Sequence, residues 1–343
     1  MKLGLIGLPG SGKSTLFEAL TGRAPEARLR GEDSLAAVKA PDSRVDALSR
    51  IYEPEKTIYA RVNYMLPGKS QGAADASKTA DLMAGIRDCD ALIHVIRNHG
   101  GFGFEPPGPA ADFAECDQEL ALADLIVAEK RMERLALDRK RGKPVNEIER
   151  SLLEKSLVLL EKGLPLRRDP GIALAKELRG FAFLSAKPML ALFNNEDGDP
   201  DSPDMGGDFQ EESVAISGKL EQELAQMSDE DARDFLKEFD ISETARDRVI
   251  ELSYRLLGLI SFFTVGKDEV RAWTVKDGDS ALEAAGAIHT DIQKGFIRAE
   301  VLSCDDLMEA GSYAEAQKKG KTRLEGKTYI VKDGDIVHFR FNV

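Results

Sequence analysis

The chain has 343 residues, 42% of them apolar and 31% charged, which suits a water-soluble globular protein of two or three domains. Its net charge of −13 excludes wrapping of nucleic acid by the surface as a whole, so DNA is not an expected partner, and no apolar stretch reaches a membrane span. The three cysteines, Cys89, Cys116 and Cys304, are odd in number and far apart, which suggests neither a zinc site nor a disulfide framework.

The first element is a short apolar strand, Leu3 to Ile6, standing where a signal sequence would be, so the protein reads as cytoplasmic. The strand runs directly into Gly7-Leu8-Pro9-Gly10-Ser11-Gly12-Lys13-Ser14-Thr15, a phosphate-binding P-loop. Its glycines let successive backbone N–H groups turn inward around a phosphate, Lys13 can reach the outer phosphates, and the Ser14 hydroxyl suits Mg²⁺. A helix follows up to Gly22, so the loop lies at a helix N-terminus, where the dipole also favours an anion.

Arg23 to Ser34 has no apolar periodicity and reads as a loop. A helix is expected over Ala80 to Asp88. Three apolar runs then mark buried parallel strands: Ala91 to Ile96, Pro188 to Phe193, and Val214 to Ile216. Their alternation with helical segments predicts a doubly wound α/β domain.

Between about Glu119 and Leu164 the pattern differs. Leu125, Ala128, Met132 and Leu135 form one heptad-like stripe, and Ile148, Leu152, Leu159 and Leu160 form another after a Gly142-Lys143-Pro144 break. An antiparallel helical hairpin is predicted, its tip carrying Arg139, Lys140, Arg141 and Lys143. This cluster is either a solvated turn or a contact with RNA phosphates. Gly198 to Gly207 reads as an exposed loop, and Thr244 to Ile260 as a long helix. From about Phe262 the chain turns β-rich: Val270 to Val275 alternates as a strand, and Ile330 to Val337 carries an Asp333-Gly334 hairpin signal. Val337, Phe339, Phe341 and Val343 then share one face, with His338, Arg340 and Asn342 on the other.

Taken together, Phe262-Phe263-Thr264, Glu269 to Thr274, Ala285 to Asp291, Lys294 to Glu300 and Asp333 to Val343 resemble the TGS domain of the YchF-type, Obg-like ATPases of the TRAFAC P-loop GTPase class. Glu119 to Leu125 is similar to the start of that family's coiled-coil insertion, so the resemblance covers almost the whole chain. It implies a P-loop NTPase sheet at 1–118 and 166–261, an inserted antiparallel coiled coil at 119–165 and a β-grasp TGS domain at 262–343. It also implies a weak ATP- or GTP-hydrolysing, ribosome-associated factor that uses Mg²⁺. A monomer with ribosome or ribosomal RNA as partner, and no membrane, is expected.

The family's Asp-x-x-Gly element corresponds to a stretch within Asn63 to Gly68, where Gly68 retains the γ-phosphate-sensing place and the Asp has no counterpart. The first-switch Thr is also missing near Arg28 to Glu32. The family's loop His falls near Gly101 to Phe104, with His99 close by. Lys13 and Gly68 are thus the implied catalytic pair. Because phosphoryl transfer depends on positioning and charge, binding is expected to survive better than hydrolysis. Asn194-Asn195-Glu196-Asp197 is the base-reading element and Ser217-Gly218-Lys219 the next base-side loop; adenine and guanine both remain open. A non-hydrolysing module that binds RNA or protein is the alternative, and a small-molecule kinase is disfavoured by the C-terminal tail.

Overall fold

The computed structural model describes residues 1–22, 33–68, 85–100, 105–207, 209–238 and 244–342. The expected loop from Arg23, the place of the first-switch Thr, the start of the helix expected from Ala80, the loop-His position at 101–104 and Val343 lie outside the described residues. The chain forms two compact units, Met1–Ala36 with Asn63–Val249, and Ala37–Val62 with Ile250–Val343. Among the described residues no helix is long and apolar enough to cross a membrane.

The first unit holds a sheet in the order β2-β4-β1-β5-β6-β7. Its strands are β1 (Lys2–Ile6), β2 (Ser34–Lys39), β4 (Arg61–Leu66), β5 (Ala91–Asn98), β6 (Met189–Asn195) and β7 (Glu212–Ile216). Every pairing from β4 through β7 is parallel. The central strands are buried along their apolar runs, with all of β6 inside, because helices cover both faces. Helix α1 (Lys13–Thr21) leaves β1 through the glycine-rich turn and ends at Gly22, whose left-handed backbone lets its N–H reach the Glu18 carbonyl.

The unit also carries a long helix, Pro109–Lys140, and a second helix, Glu147–Leu160. Proline opens the first, where a missing N–H costs nothing. Asn146 caps the second by accepting from the Ile148 and Glu149 amides at 3.1 and 3.3 Å. Ala121, Ala128, Leu135, Leu153 and Leu160 share one apolar cluster. Ile148, expected in the buried stripe, is instead 62% exposed. The stripe runs through Glu149, Leu153, Ser156 and Leu160, and Arg131 grips the Glu149 carboxylate with two bonds of 2.6 and 3.0 Å.

A buried aspartate fixes the long helix to the segments that lead into β5 and β6. Asp124, fully buried, accepts from the Leu184 amide (3.0 Å), the Ser185 amide (2.7 Å) and hydroxyl (2.8 Å), and Arg87 (3.1 Å). With its lone pairs shared among four donors, its charge can be buried without being orphaned.

The second unit holds a mixed sheet, β11-β10-β12-β8-β9-β3, made of β3 (Lys56–Ile58), β8 (Leu259–Val265), β9 (Glu269–Lys276), β10 (Phe296–Ser303), β11 (Arg323–Glu325) and β12 (Asp335–Phe341). Helix α2 (Ser43–Tyr52), capped by Asp42, packs on β8 and β9. Phe262, Phe296, Phe339 and Val337 form its core with the Ala281–Ile288 helix. The sequence reading needs two corrections here. The helix expected to run to Ile260 ends at Leu256, because Gly258 adopts a left-handed turn and Leu259 already pairs with Lys276 in β9. The Asp-Gly turn does not close a hairpin between Ile330 and Val337: Ile330 makes an isolated bridge to Ser280, and β12 pairs with β10 and β8.

Candidate functional site

The β1–α1 turn is built around backbone that only glycine adopts at ease. Gly7, Gly10 and Gly12 have φ of 140°, 83° and 92°. A methyl group at Gly7 would run into the Val95 carbonyl oxygen, and one at Gly12 into the Asn194 amide group. Lys13 Nζ folds over the loop and donates to the Gly7 and Leu8 carbonyls, at 2.7 Å each. Inside the turn the Ser11 hydroxyl is buried with no hydrogen-bond partner among the described residues. A concave loop of amides next to a lysine and an unmatched buried hydroxyl is the chemistry of an anion site.

A cavity of about 740 Å³ opens over this turn, lined by Gly7 to Gly10, Gly12, Lys13 and Ser14 together with Leu66, Pro67 and Gly68. The long helix adds Cys116, Glu119 and Leu120. Burial, then the charges of Asp117 and Glu119, push the Cys116 thiol up to about 12, so it is an inert apolar wall. Glu119 is itself pushed up by burial and by neighbouring Glu115. Behind the loop, fully buried His94 pairs with Ile6 across β1 and stacks on Phe113 at 5.2 Å. Burial first, then the charges of Arg167 and Lys13, lower its pKa to about 3, so the imidazole is neutral.

The second group of expected residues is tied to the first through one side chain. Asn194, at the end of β6, donates to the Ser11 carbonyl and accepts from the Gly218 amide, both at 3.0 Å, linking the P-loop to the loop after β7. Asp197 accepts from the Ser217 hydroxyl, which also caps the Gly218–Leu224 helix. Lys219 is exposed on that helix's first turn. Asn195 is consumed inside its own loop, donating to the Asp199 and Asp201 carbonyls at 3.0 and 2.7 Å and accepting from Asn98. Thr15 lies in α1, off the residues that line the cavity. His99 does not line it either; its Nδ1 lies 2.8 Å from the Gly100 oxygen. Arg139, Lys140, Arg141 and Lys143 stand apart from this site, exposed at the end of the long helix, with Lys143 3.1 Å from Asp138.

Motif reading assigns neither of two nearby carboxylates, one lining the cavity and one bonded to a residue that lines it. Glu119 reaches the cavity from a helix distant in sequence, and Asp33 hydrogen-bonds the Gly68 amide at 2.9 Å. No spacing rule connects either to the P-loop.

Residues 259–342 match the YchF-GTPase_C family, described as a protein of unknown function (DUF933). The chain is 40% identical over 366 aligned residues to the ribosome-binding ATPase YchF of Haemophilus ducreyi, covering 100% of this chain and 99% of the relative. It is 35% identical to the protein of the same name in Bacillus subtilis and 36% to that of Escherichia coli O157:H7, again covering at least 99% of both partners. Among solved structures it superposes on the YchF GTPase of Schizosaccharomyces pombe with a TM-score of 0.83 and 27% identity, over 99% of this chain and 97% of that one. The turn, the cavity and the chain around them are those of a member of the YchF family, to which this protein belongs.

Proposed function

We propose that the protein is a nucleotide-binding, ribosome-associated regulator with slow hydrolysis. The observation that carries this is the β1–α1 turn: three left-handed glycines, a lysine laid over the loop and a buried hydroxyl without a partner among the described residues. Backbone amides of Gly10 to Lys13 and the Ser11 hydroxyl would take the phosphates, with Lys13 bridging the outer ones. The hydroxyl of Ser14, which lines the cavity, fits a place in a Mg²⁺ shell. Mg²⁺, when bound, would neutralise charge on the phosphates. The carboxylate expected at the end of β4 has no counterpart there, as Met65-Leu66-Pro67-Gly68 supplies none, and this is the reason for slow turnover. Asn194 positions the loops, while Asp197, Ser217, Gly218 and Lys219 would form the base side of the site.

The named relatives are ribosome-binding, and the exposed basic group Arg139 to Lys143 at the end of the long helix gives this chain a surface suited to ribosomal RNA phosphates. In this reading 119–165 is the coiled-coil insertion and 262–343 the TGS domain. One experiment tests the whole: nucleotide titration and ribosome co-sedimentation of the unsubstituted chain, Lys13→Ala, and a variant with the four basic residues neutralised. Lys13→Ala should weaken triphosphate binding at least about tenfold, since charge-assisted bonds to two phosphates are lost. The basic-cluster variant should leave the ribosome and reduce the salt dependence of co-sedimentation. Equal, negligible nucleotide binding by the unsubstituted chain and Lys13→Ala would refute the nucleotide half, and unchanged co-sedimentation at low salt the ribosomal half.

A further inference from the structure

The amide of Gly68 already has a partner of its own. Asp33, the residue before β2, places Oδ1 2.9 Å from that N–H. Its other oxygen faces Gly85, where an added methyl group would meet Oδ2 at 2.7 Å and the Met65 methyl at 3.7 Å. Gly68 lines the same cavity as Lys13 and Ser14. The phosphates nearest the turn are served by the turn's own amides. On the phosphate reading, a longer phosphate chain would extend from those amides through the shared cavity towards Gly68.

A carboxylate oxygen and a phosphoryl oxygen offer a backbone N–H the same thing, a negatively charged acceptor at hydrogen-bond distance. They compete for one proton, and two anions at close range repel. We propose, building on the phosphate reading above, that Asp33 is a specificity residue for phosphate-chain length. It holds the Gly68 amide when a nucleoside diphosphate fills the turn, and a triphosphate must displace it. Asp33 thus biases the site toward diphosphates. Because its side chain is exposed, the bias is modest, a several-fold effect and not a block.

Calorimetric titration of ADP, ATP, GDP and GTP with Mg²⁺ into the unsubstituted chain, Asp33→Asn and Asp33→Ala tests this. Asparagine keeps an acceptor oxygen and removes the charge; alanine removes both. The ratio of triphosphate to diphosphate affinity should rise roughly three- to tenfold in Asp33→Ala and by less in Asp33→Asn, with diphosphate affinity unchanged. An unchanged ratio overturns the role of Asp33 while leaving the phosphate reading standing. A lowered ratio also overturns it, since the carboxylate would then be helping to hold the triphosphate with its metal. No binding of either class by the unsubstituted chain overturns both the phosphate reading and this one.

Discussion

The glycine turn of the first unit and the sheet of the second treat their polar groups in opposite ways. At the turn, the buried Ser11 hydroxyl has no partner among the described residues and three glycines hold left-handed backbone. In the second unit several polar groups close on one another: Tyr329 donates to Asp335 at 2.8 Å, Glu300 accepts from Tyr313 and Arg340, and Ser280 with Glu283 completes a capping box, while the buried Tyr52 hydroxyl has no partner among the described residues. Other buried polar atoms also lack a partner among the described residues, the Tyr52 hydroxyl, the His94 ring nitrogens and Arg167 Nη1, so what sets the turn apart for a ligand is an open hydroxyl together with glycine backbone and an adjacent lysine. If this is right, changes in bonded networks elsewhere should cost stability and leave nucleotide affinity alone, while changes at the turn should do the reverse.

The largest stability effect is expected at Arg167, the centre of a buried ion-pair network within the first unit. Its guanidinium binds Asp117 of the long helix at 2.6 and 2.7 Å and Glu211, just before β7, at 2.8 Å, and all three side chains are nearly buried. Arg167→Ala leaves two carboxylates facing each other out of water. A loss of about 3–5 kcal/mol is expected, read as a lower urea midpoint at unchanged slope. A loss under about 1 kcal/mol would mean that water enters this network freely.

Next comes the acid side of the stability curve, where His94 behind the turn should be visible. Its folded pKa, about 3, lies below the ordinary value of 6.5, so between the two the unfolded chain binds the extra proton. Stability from this group is therefore complete above about pH 6.5 and is lost as pH falls towards 3, at up to about 1.4 kcal/mol per pH unit. From pH 7 to pH 5 the loss should be roughly 2 kcal/mol. His94→Phe, which keeps a ring against Phe113, should flatten that slope in urea unfolding. A variant with the same slope as the parent would show that the imidazole is protonated, and so hydrated, in the fold.

How far the sequence reached also differs between the two regions. The glycine turn was readable because its geometry is local: one strand, one loop and one helix within Lys2 to Thr21 place Lys13, Ser14 and the glycines. The buried strands β5, β6 and β7 announced themselves as apolar runs for the same reason. Asp33 and Glu119 escaped because what brings them to Gly68 and to the cavity is tertiary, the start of β2 beside the end of β4 and the course of a long helix. Ile148 misled because apolar spacing cannot tell which of two neighbouring stripes faces the partner helix when Arg131 pulls Glu149 inward. The Asp333-Gly334 turn is real, with Gly334 at φ 86°, but the choice of partner strand belongs to the sheet and not to the turn.

The smallest effect separates a polar network that can repair itself from one that cannot. Tyr254 places its hydroxyl 3.2 Å from the Ile260 carbonyl, 2.9 Å from Ser261 Oγ and 3.0 Å from Thr274 Oγ1. Ser261 and Thr274 are directly opposite each other in the β8–β9 ladder. When Tyr254→Phe removes the phenolic oxygen, the two hydroxyls can turn towards one another, as cross-strand Ser and Thr pairs do. Little is then left unsatisfied, and the expected loss is about 1 kcal/mol in urea unfolding, with nucleotide affinity unchanged. Arg167 has no such recourse, because two carboxylates cannot satisfy each other without taking up a proton. A loss above about 3 kcal/mol for Tyr254→Phe would place this hydroxyl on the same footing as the buried charges and remove the distinction between the two kinds of network.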